Sequence, residues 1–242
     1  MPQQSAGIFI ESLTWPEMER ALASINTVVL PLGSRCKEHG PHLPLNADWI
    51  MAEYLARRVA EKCRVLVAPT VQYGYYPAFI EYPGSVSIAE TTFRDFVADI
   101  CRSFSRNGAR RIYVLNTGIS TLAPLTAARQ LLADEGIRME FSDLRNFAVS
   151  ERRAVEQQPH GTHADEIETS MMLYIAPQVV HLERARPELA SPQLGPLTRN
   201  ARGAGLYSPS GAWGDPTLAT AEKGRLIVEA LVSEMIPIIG EL

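Results

Sequence analysis

No apolar run in the sequence approaches the ~20 residues that a membrane-spanning helix needs, so nothing reads as a transmembrane segment. Neither G-x-G-x-x-G nor G-x-x-x-x-G-K occurs, which removes the usual phosphate-cradling loops and with them nucleotide-dependent chemistry. Gly/Ser runs, charge blocks, low-complexity tracts and internal repeats are absent too, so there is no linker and no solenoid or propeller signature. Cysteine is scarce: Cys36, Cys63 and Cys101 are odd in number and lack metal-type spacing. That argues against a disulfide scaffold and for a reducing cytoplasm as the default location. Cations are scattered, the net charge is −4, and a denser group such as Arg106, Arg110 and Arg111 merely precedes a strand. Phosphate neutralisation needs clustered cations, so nucleic acid is not the expected partner. The N-terminal residues mix acidic and polar side chains with apolar ones and do not read as a signal peptide.

What is present suits a globular core. The 242 residues are 46% hydrophobic, and with no linker in view the expectation is a single domain over residues 1–242. Apolar runs at Thr27–Leu32, Arg64–Pro69, Arg111–Asn116 and Met139–Ser142 read as strands. Between and after them, Asp48–Lys62, Thr91–Asn107, Leu122–Glu135, Asp165–Tyr174 and Ala221–Ile239 carry apolar residues at helical spacing. Such alternation predicts an α/β fold: a three-layer α/β/α sandwich with a mostly parallel central sheet. Ligands of these sheets bind beyond the carboxyl ends of the strands, which directs attention to the junctions after Leu32, Val67 and Leu115 and to the segment around His163.

The first junction, Gly33 to Asp48, packs Lys37, Glu38, His39, His42 and Asp48 into one strand-to-helix connection. Imidazole and carboxylate together suit zinc or manganese. Spacing alone leaves an alternative open, in which Asp48 faces a helix N-terminus and the histidines are ordinary loop residues. Tyr73 and Tyr75, near Gly74, are placed to stack on a planar ligand or, equally, to pack against a neighbouring subunit. Cys36, next to Lys37, reads as a small loop residue rather than a nucleophile.

"LPLGS" followed by "EHGPHLPLNAD" resembles the N-terminal signature of the creatininase family of amidohydrolases. The resemblance continues through "QYGYYPAF…YPGSVSI", "GTHADEIETSMML" and "GDPTLATAEKGRLIVEALV", in family order over most of the chain. It implies a creatininase-like α/β fold, homo-oligomers that are often hexamers, a divalent metal pair commonly including zinc, and hydrolysis of a C–N bond in a cyclic amide or formamide. Carried over position by position, His39 matches a metal-ligand histidine and Asp48 the bridging aspartate. The ligand glutamate falls on Lys37, a ligand histidine on Gly118 and a ligand glutamate on Ser120. The later histidine associated with proton transfer matches His163, while Glu168-Thr169-Ser170 matches a following signature that reads as structural.

A protonated lysine repels a divalent cation, so Lys37 is expected to take the place of one metal and pair with Asp48 or Glu38. Gly118 would leave space where an imidazole stood. At most one zinc or manganese ion per site is then expected, held by His39 and Asp48, with a site free of metal as the alternative. In the leading reading His163 transfers protons, Lys37 stabilises the oxyanion, Glu38 is the alternative base, and Tyr73, Tyr75 and Ser120 contact a small-molecule amide. The competing reading is a catalytically silent member that binds a small ligand or stabilises an oligomer.

Overall fold

The computed structural model describes residues 6–188, 193 and 195–242. Its elements run β1 (Ile8–Phe9), α1 (Trp15–Leu22), β2 (Thr27–Leu32), α2 (Ala47–Lys62), β3 (Leu66–Val67), α3 (Glu90–Arg106), β4 (Arg111–Asn116), α4 (Leu122–Asp134), β5 (Arg138–Phe141), α5 (Val149–Val155), α6 (Glu166–Ile175), β6 (Leu197–Thr198), β7 (Leu206–Tyr207) and α7 (Ala221–Gly240). The strands expected around residues 64–69 and 139–142 are shorter or shifted by a residue. The elements β1, α1 and α5 have no counterpart in the sequence reading.

The main sheet has the order β1-β3-β2-β4-β5, and every pair is parallel. Alternation along the strands divides the core in two, because successive side chains leave a strand on opposite faces. Val28, Leu30, Leu32, Ile112 and Val114 pack with α1, α3 and α4; Val29, Tyr113 and Leu115 pack with α2, α6 and α7. Both faces are therefore covered, which is why these strands read as continuous apolar runs. This is the three-layer α/β/α sandwich that the pattern predicted. Cys63 and Cys101 are buried in the two cores. Among the described residues no helix is long and apolar enough to cross a membrane.

Two details set the site. Pro31 stands within central strand β2, where a missing N–H would normally break a ladder. It lies beyond the last β3 pairing, Val29 with Val67, and its carbonyl accepts from the Val71 N–H at 2.9 Å. The chain after β3 thus folds back against the end of β2 and brings Tyr76 and Phe79 towards the junction. On the opposite side, α6 packs on α7 with Gly224 against the Ser170 backbone, so a β-carbon at 224 would collide with that backbone.

Gly224→Ala should therefore destabilise the protein by about 1–3 kcal/mol through overpacking. Helix propensity alone would favour alanine by about 1 kcal/mol. Urea unfolding of the variant decides between the two signs, and a gain in stability would mean that α6 and α7 separate without penalty.

Candidate active site

The segment between β2 and α2 delivers four titratable side chains to one place. Lys37, Glu38, His39 and Asp48 are all buried, with His39 and Asp48 wholly out of water. Asp48 lies in the first turn of α2, but its carboxylate does not cap the helix. Lys37 Nζ stands 2.7 Å from Asp48 Oδ2, and His39 Nε2 stands 3.0 Å from Asp48 Oδ1. From the far side of the sheet edge, the segment before α6 brings in His163, and the first turn of α6 brings in Glu168. His163 Nε2 meets Glu38 Oε1 at 2.8 Å. Glu168 lies between the two imidazoles, 3.7 Å from His39 Nε2 and 3.6 Å from His163 Nδ1.

The protonation pattern follows from the outer partners. His39 Nδ1 faces the Lys37 carbonyl at 2.9 Å, and a carbonyl can only accept, so Nδ1 carries a hydrogen. His163 Nε2 faces both the Glu38 carboxylate and the Glu38 carbonyl, 3.0 Å away, so Nε2 is a donor as well. Neutral imidazoles would then turn lone pairs, at His39 Nε2 and His163 Nδ1, towards the carboxylates of Glu168 and Asp48. Acceptors facing acceptors in a buried site require a cation among them, either protons on the rings or a metal ion. His39, His163 and Glu168 each offer a ligand atom, all within 4.8 Å of one another, and could hold such an ion.

Electrostatics bind this cluster together. Burial works to lower the pKa of Lys37, but the charges of Asp48, Glu168 and Glu38 outweigh it and hold the ammonium above its ordinary value. Burial would raise Asp48, yet Lys37 and His39 keep its carboxyl well below the usual range. Glu38 is likewise lowered: His163 and the Gly40 N–H overcome its burial. His163 is raised because Glu38 overcomes the desolvation of the ring. His42 differs: burial brings its pKa down to about 4, so it stays neutral, hydrogen-bonded to Thr169 Oγ1 at 2.9 Å. Burial also lifts Asp165, the N-cap of α6, to about 6.

A cavity of about 300 Å³ opens beside the cluster. Lys37, Phe79, Ser120, His163, Asp165 and Glu168 lie on its wall, whereas Glu38, His39 and Asp48 stand behind it. The tyrosines separate differently from the expectation. Tyr73 is half exposed and faces an apolar groove on the α3 side, and Tyr75 packs into the core on that same side. Neither borders the cavity. Tyr76 is the buried aromatic of this segment, with its ring 5.6 Å from Lys37 Nζ, and the Phe79 ring stacks on His163 at 4.4 Å. The space expected at Gly118 is also occupied: a β-carbon there would lie 3.3 Å from the Tyr76 ring and 3.2 Å from Thr121 Oγ1. Glu168, read from the sequence as structural, lies between the two histidines. Its carboxylate accepts from the Ala164 N–H at 2.6 Å, a contact that the sequence does not signal.

These features coincide with a specific ancestry. A family model described as "Creatininase: Creatinine amidohydrolase" matches residues 11–239. Creatinine amidohydrolase of Pseudomonas putida is 29% identical, covering 98% of each chain. A mycofactocin precursor peptide peptidase of Mycobacterium ulcerans is 32% identical over 92% of this chain and 84% of its own, and a 3-dehydro-scyllo-inosose hydrolase of Thermotoga maritima is 26% identical over 99% and 85%. Among solved structures, one described as "Creatininase Mn" superposes with a TM-score of 0.84 at 25% identity, covering 97% of this chain and 98% of that one. A mutant creatininase of "Zn-Zn type" gives 0.79 at 26% identity, covering 98% of each.

The buried Lys37–Asp48 pair generates a double-mutant cycle. Removing one partner strands the other's charge, so Lys37→Met and Asp48→Asn should each cost about 3–5 kcal/mol, while the double variant recovers a large part of that loss. Asp48 has a folded-state pKa below its unfolded value. Its contribution is therefore complete above about pH 5 and drains away as the pH falls towards the folded value. The double variant should lose less stability than the parent between about pH 5 and pH 2.5 in chemical denaturation. Additive single losses would show that the two charges do not depend on each other. The matches over nearly the whole chain, at this level of superposition, establish that it belongs to the creatininase family of hydrolases.

Proposed function

We propose that the protein is a one-metal hydrolase of a non-peptide amide C–N bond, with a cyclic amide or formamide as substrate. The observation that carries this reading is the convergence of His39 Nε2, His163 Nδ1 and the Glu168 carboxylate beside a cavity, with the outer nitrogens already tied to acceptors. That outer-partner arrangement is the one that fixes metal-ligating histidines. Charge favours a single divalent ion. Lys37 set against Asp48, Glu38 and Glu168 leaves two negative charges in the linked network. The residues do not suit a second ion, because Lys37 engages Asp48 Oδ2, Gly118 offers no donor and Tyr76 crowds that position.

The roles differ from those expected from the sequence. His39, His163 and Glu168 would hold the ion, zinc or manganese in kind. When bound it would supply a water of lowered pKa and polarise a carbonyl oxygen. Glu38 orients His163 through Nε2, and Asp48 serves as counter-ion to Lys37 and partner to His39. Lys37 presents an ammonium on the cavity wall and stabilises negative charge developing on the amide oxygen. Asp165, with a pKa of about 6, is the wall carboxyl best matched to accept a proton near neutral pH. Phe79 and Tyr76 shield the ammonium and the imidazole from water. The closed Lys37–Asp48 pair favours a second reading, in which the cavity binds a small molecule without turning it over.

Elemental analysis after reconstitution with zinc or manganese should find about one ion per chain. Glu168→Gln, which keeps an acceptor for the Ala164 N–H, should weaken metal binding by about tenfold or more. Hydrolysis of a panel of formamides, to formate and amine, and of cyclic amides, to the ring-opened amino acid, should vanish on chelation and return with the metal. Protein that holds no metal in either form overturns the one-metal reading. Metal binding without turnover on the panel selects the binding-only member.

A further inference from the structure

The cavity that carries the proposed chemistry has on its wall a cation that no ion pair answers among the described residues. Lys37, Arg145 and Arg152 all line it. Lys37 is answered by Asp48, and Arg145 is forked onto Asp143 through Nε at 2.9 Å and Nη2 at 2.7 Å. Arg152 is half-buried on α5, and among the described residues its buried Nε has no hydrogen-bond partner. Asp143 feels the charge of Arg152 but has already given both oxygens to Arg145. The helix that carries Arg152 is held in place. Ala148, at its start, has a left-handed backbone (φ 50°), and its N–H donates to both carboxylate oxygens of Glu234 on α7, each at 3.1 Å. Arg152 thus stands on an anchored helix beside a cavity whose apolar wall includes Ile119, Leu144, Ile167, Met171 and Leu231.

A half-buried guanidinium with an unmet donor is stabilised by an anion, and its planar fork matches a carboxylate. Arg152 is the one cation of this wall without an ion pair among the described residues, and a single cation suits a single negative charge better than a phosphate dianion. We propose that Arg152 is the carboxylate-binding residue of this cavity, so that the preferred ligand is an amide bearing a carboxylate beyond a short apolar body. The inference rests on the amide-hydrolase reading for the end that reacts; the carboxylate end stands on the surroundings of Arg152.

Isothermal titration calorimetry of the full chain tests it, using benzoate, 4-methylpentanoate and N-acetyl-leucine beside their uncharged carboxamides. At least one acid should bind about tenfold or more tightly than its carboxamide. Arg152→Gln should collapse that gap to within about twofold, while Arg152→Lys, which keeps the charge without the fork, should retain part of it. Equal binding of acids and carboxamides, no binding of any acid, or a gap that survives Arg152→Gln would each overturn the proposal. Because no turnover is read, inactivity on the amide panel leaves this result standing. Conversely, hydrolysis of neutral amides without any acid preference in binding keeps the amide reading and removes this one.

Discussion

The ion pair between Lys37 and Asp48 is the interaction on which the site depends. Both side chains are out of water, and the attraction of unit charges in such a setting is large only because each desolvation cost is large too. Neither charge is tolerable without the other, so the pair fixes the Gly33–Asn46 connection against α2. That connection positions the His39 ring, because the Lys37 carbonyl takes its Nδ1 hydrogen while Asp48 faces its Nε2. One lysine therefore orders a histidine two residues away through its backbone and its counter-ion together.

From this follows the electrostatic character of the cluster. In the cluster as a whole, the carboxylates of Asp48, Glu38 and Glu168 meet two imidazoles whose outer nitrogens are turned to acceptors. A buried arrangement of that kind is stable only with positive charge at its centre. Rings that are protonated satisfy it in one way and a divalent ion in another, and the raised proton affinity of His163 expresses the same demand. Lysine in place of a carboxylate changes the charge at that point by two units. On the proposed reading a single divalent ion would neutralise the two negative charges that remain, and Lys37 acts against a second ion together with Gly118 and Tyr76.

The layers were legible because they rest on periodicity. The strands at 27–32 and 111–116 are buried on both faces, and the long helices carry apolar stripes, so both periods stand out. β1 and α5 are too short for a period to show. α1 was missed for a different reason: Thr14 and Glu17 form a capping box, but its eight residues bury none of their side chains fully, leaving only the cap as a signal. The site was partly legible because Lys37, Glu38, His39 and Asp48 occupy one connection. Glu168 was hidden, since its importance lies in where the first turn of α6 meets a segment more than a hundred residues earlier. The tyrosines separate for a local reason: which aromatic of Tyr73, Tyr75 and Tyr76 turns inward depends on the path after β3, and the string "QYGYYP" does not reveal it. Gly118 looked like a vacancy only as long as the position of Tyr76 was unknown.

The cavity divides its labour along the chain. The end near Lys37 and His163 is built from the connection after β2 and the start of α6, where the charges constrain one another and a change at one position disturbs the rest. The opposite walls come largely from the segments after β4 and β5, through Ile119, Leu144 and Arg152. Ile119 and Leu144 carry no charge, and among the described residues no ion pair joins Arg152 to the cluster around Lys37. A fold hosts new substrates by varying such segments on a fixed scaffold. On the proposed reading Arg152, whose Nε has no hydrogen-bond partner among the described residues, is the residue of this wall that sets the charge of the ligand.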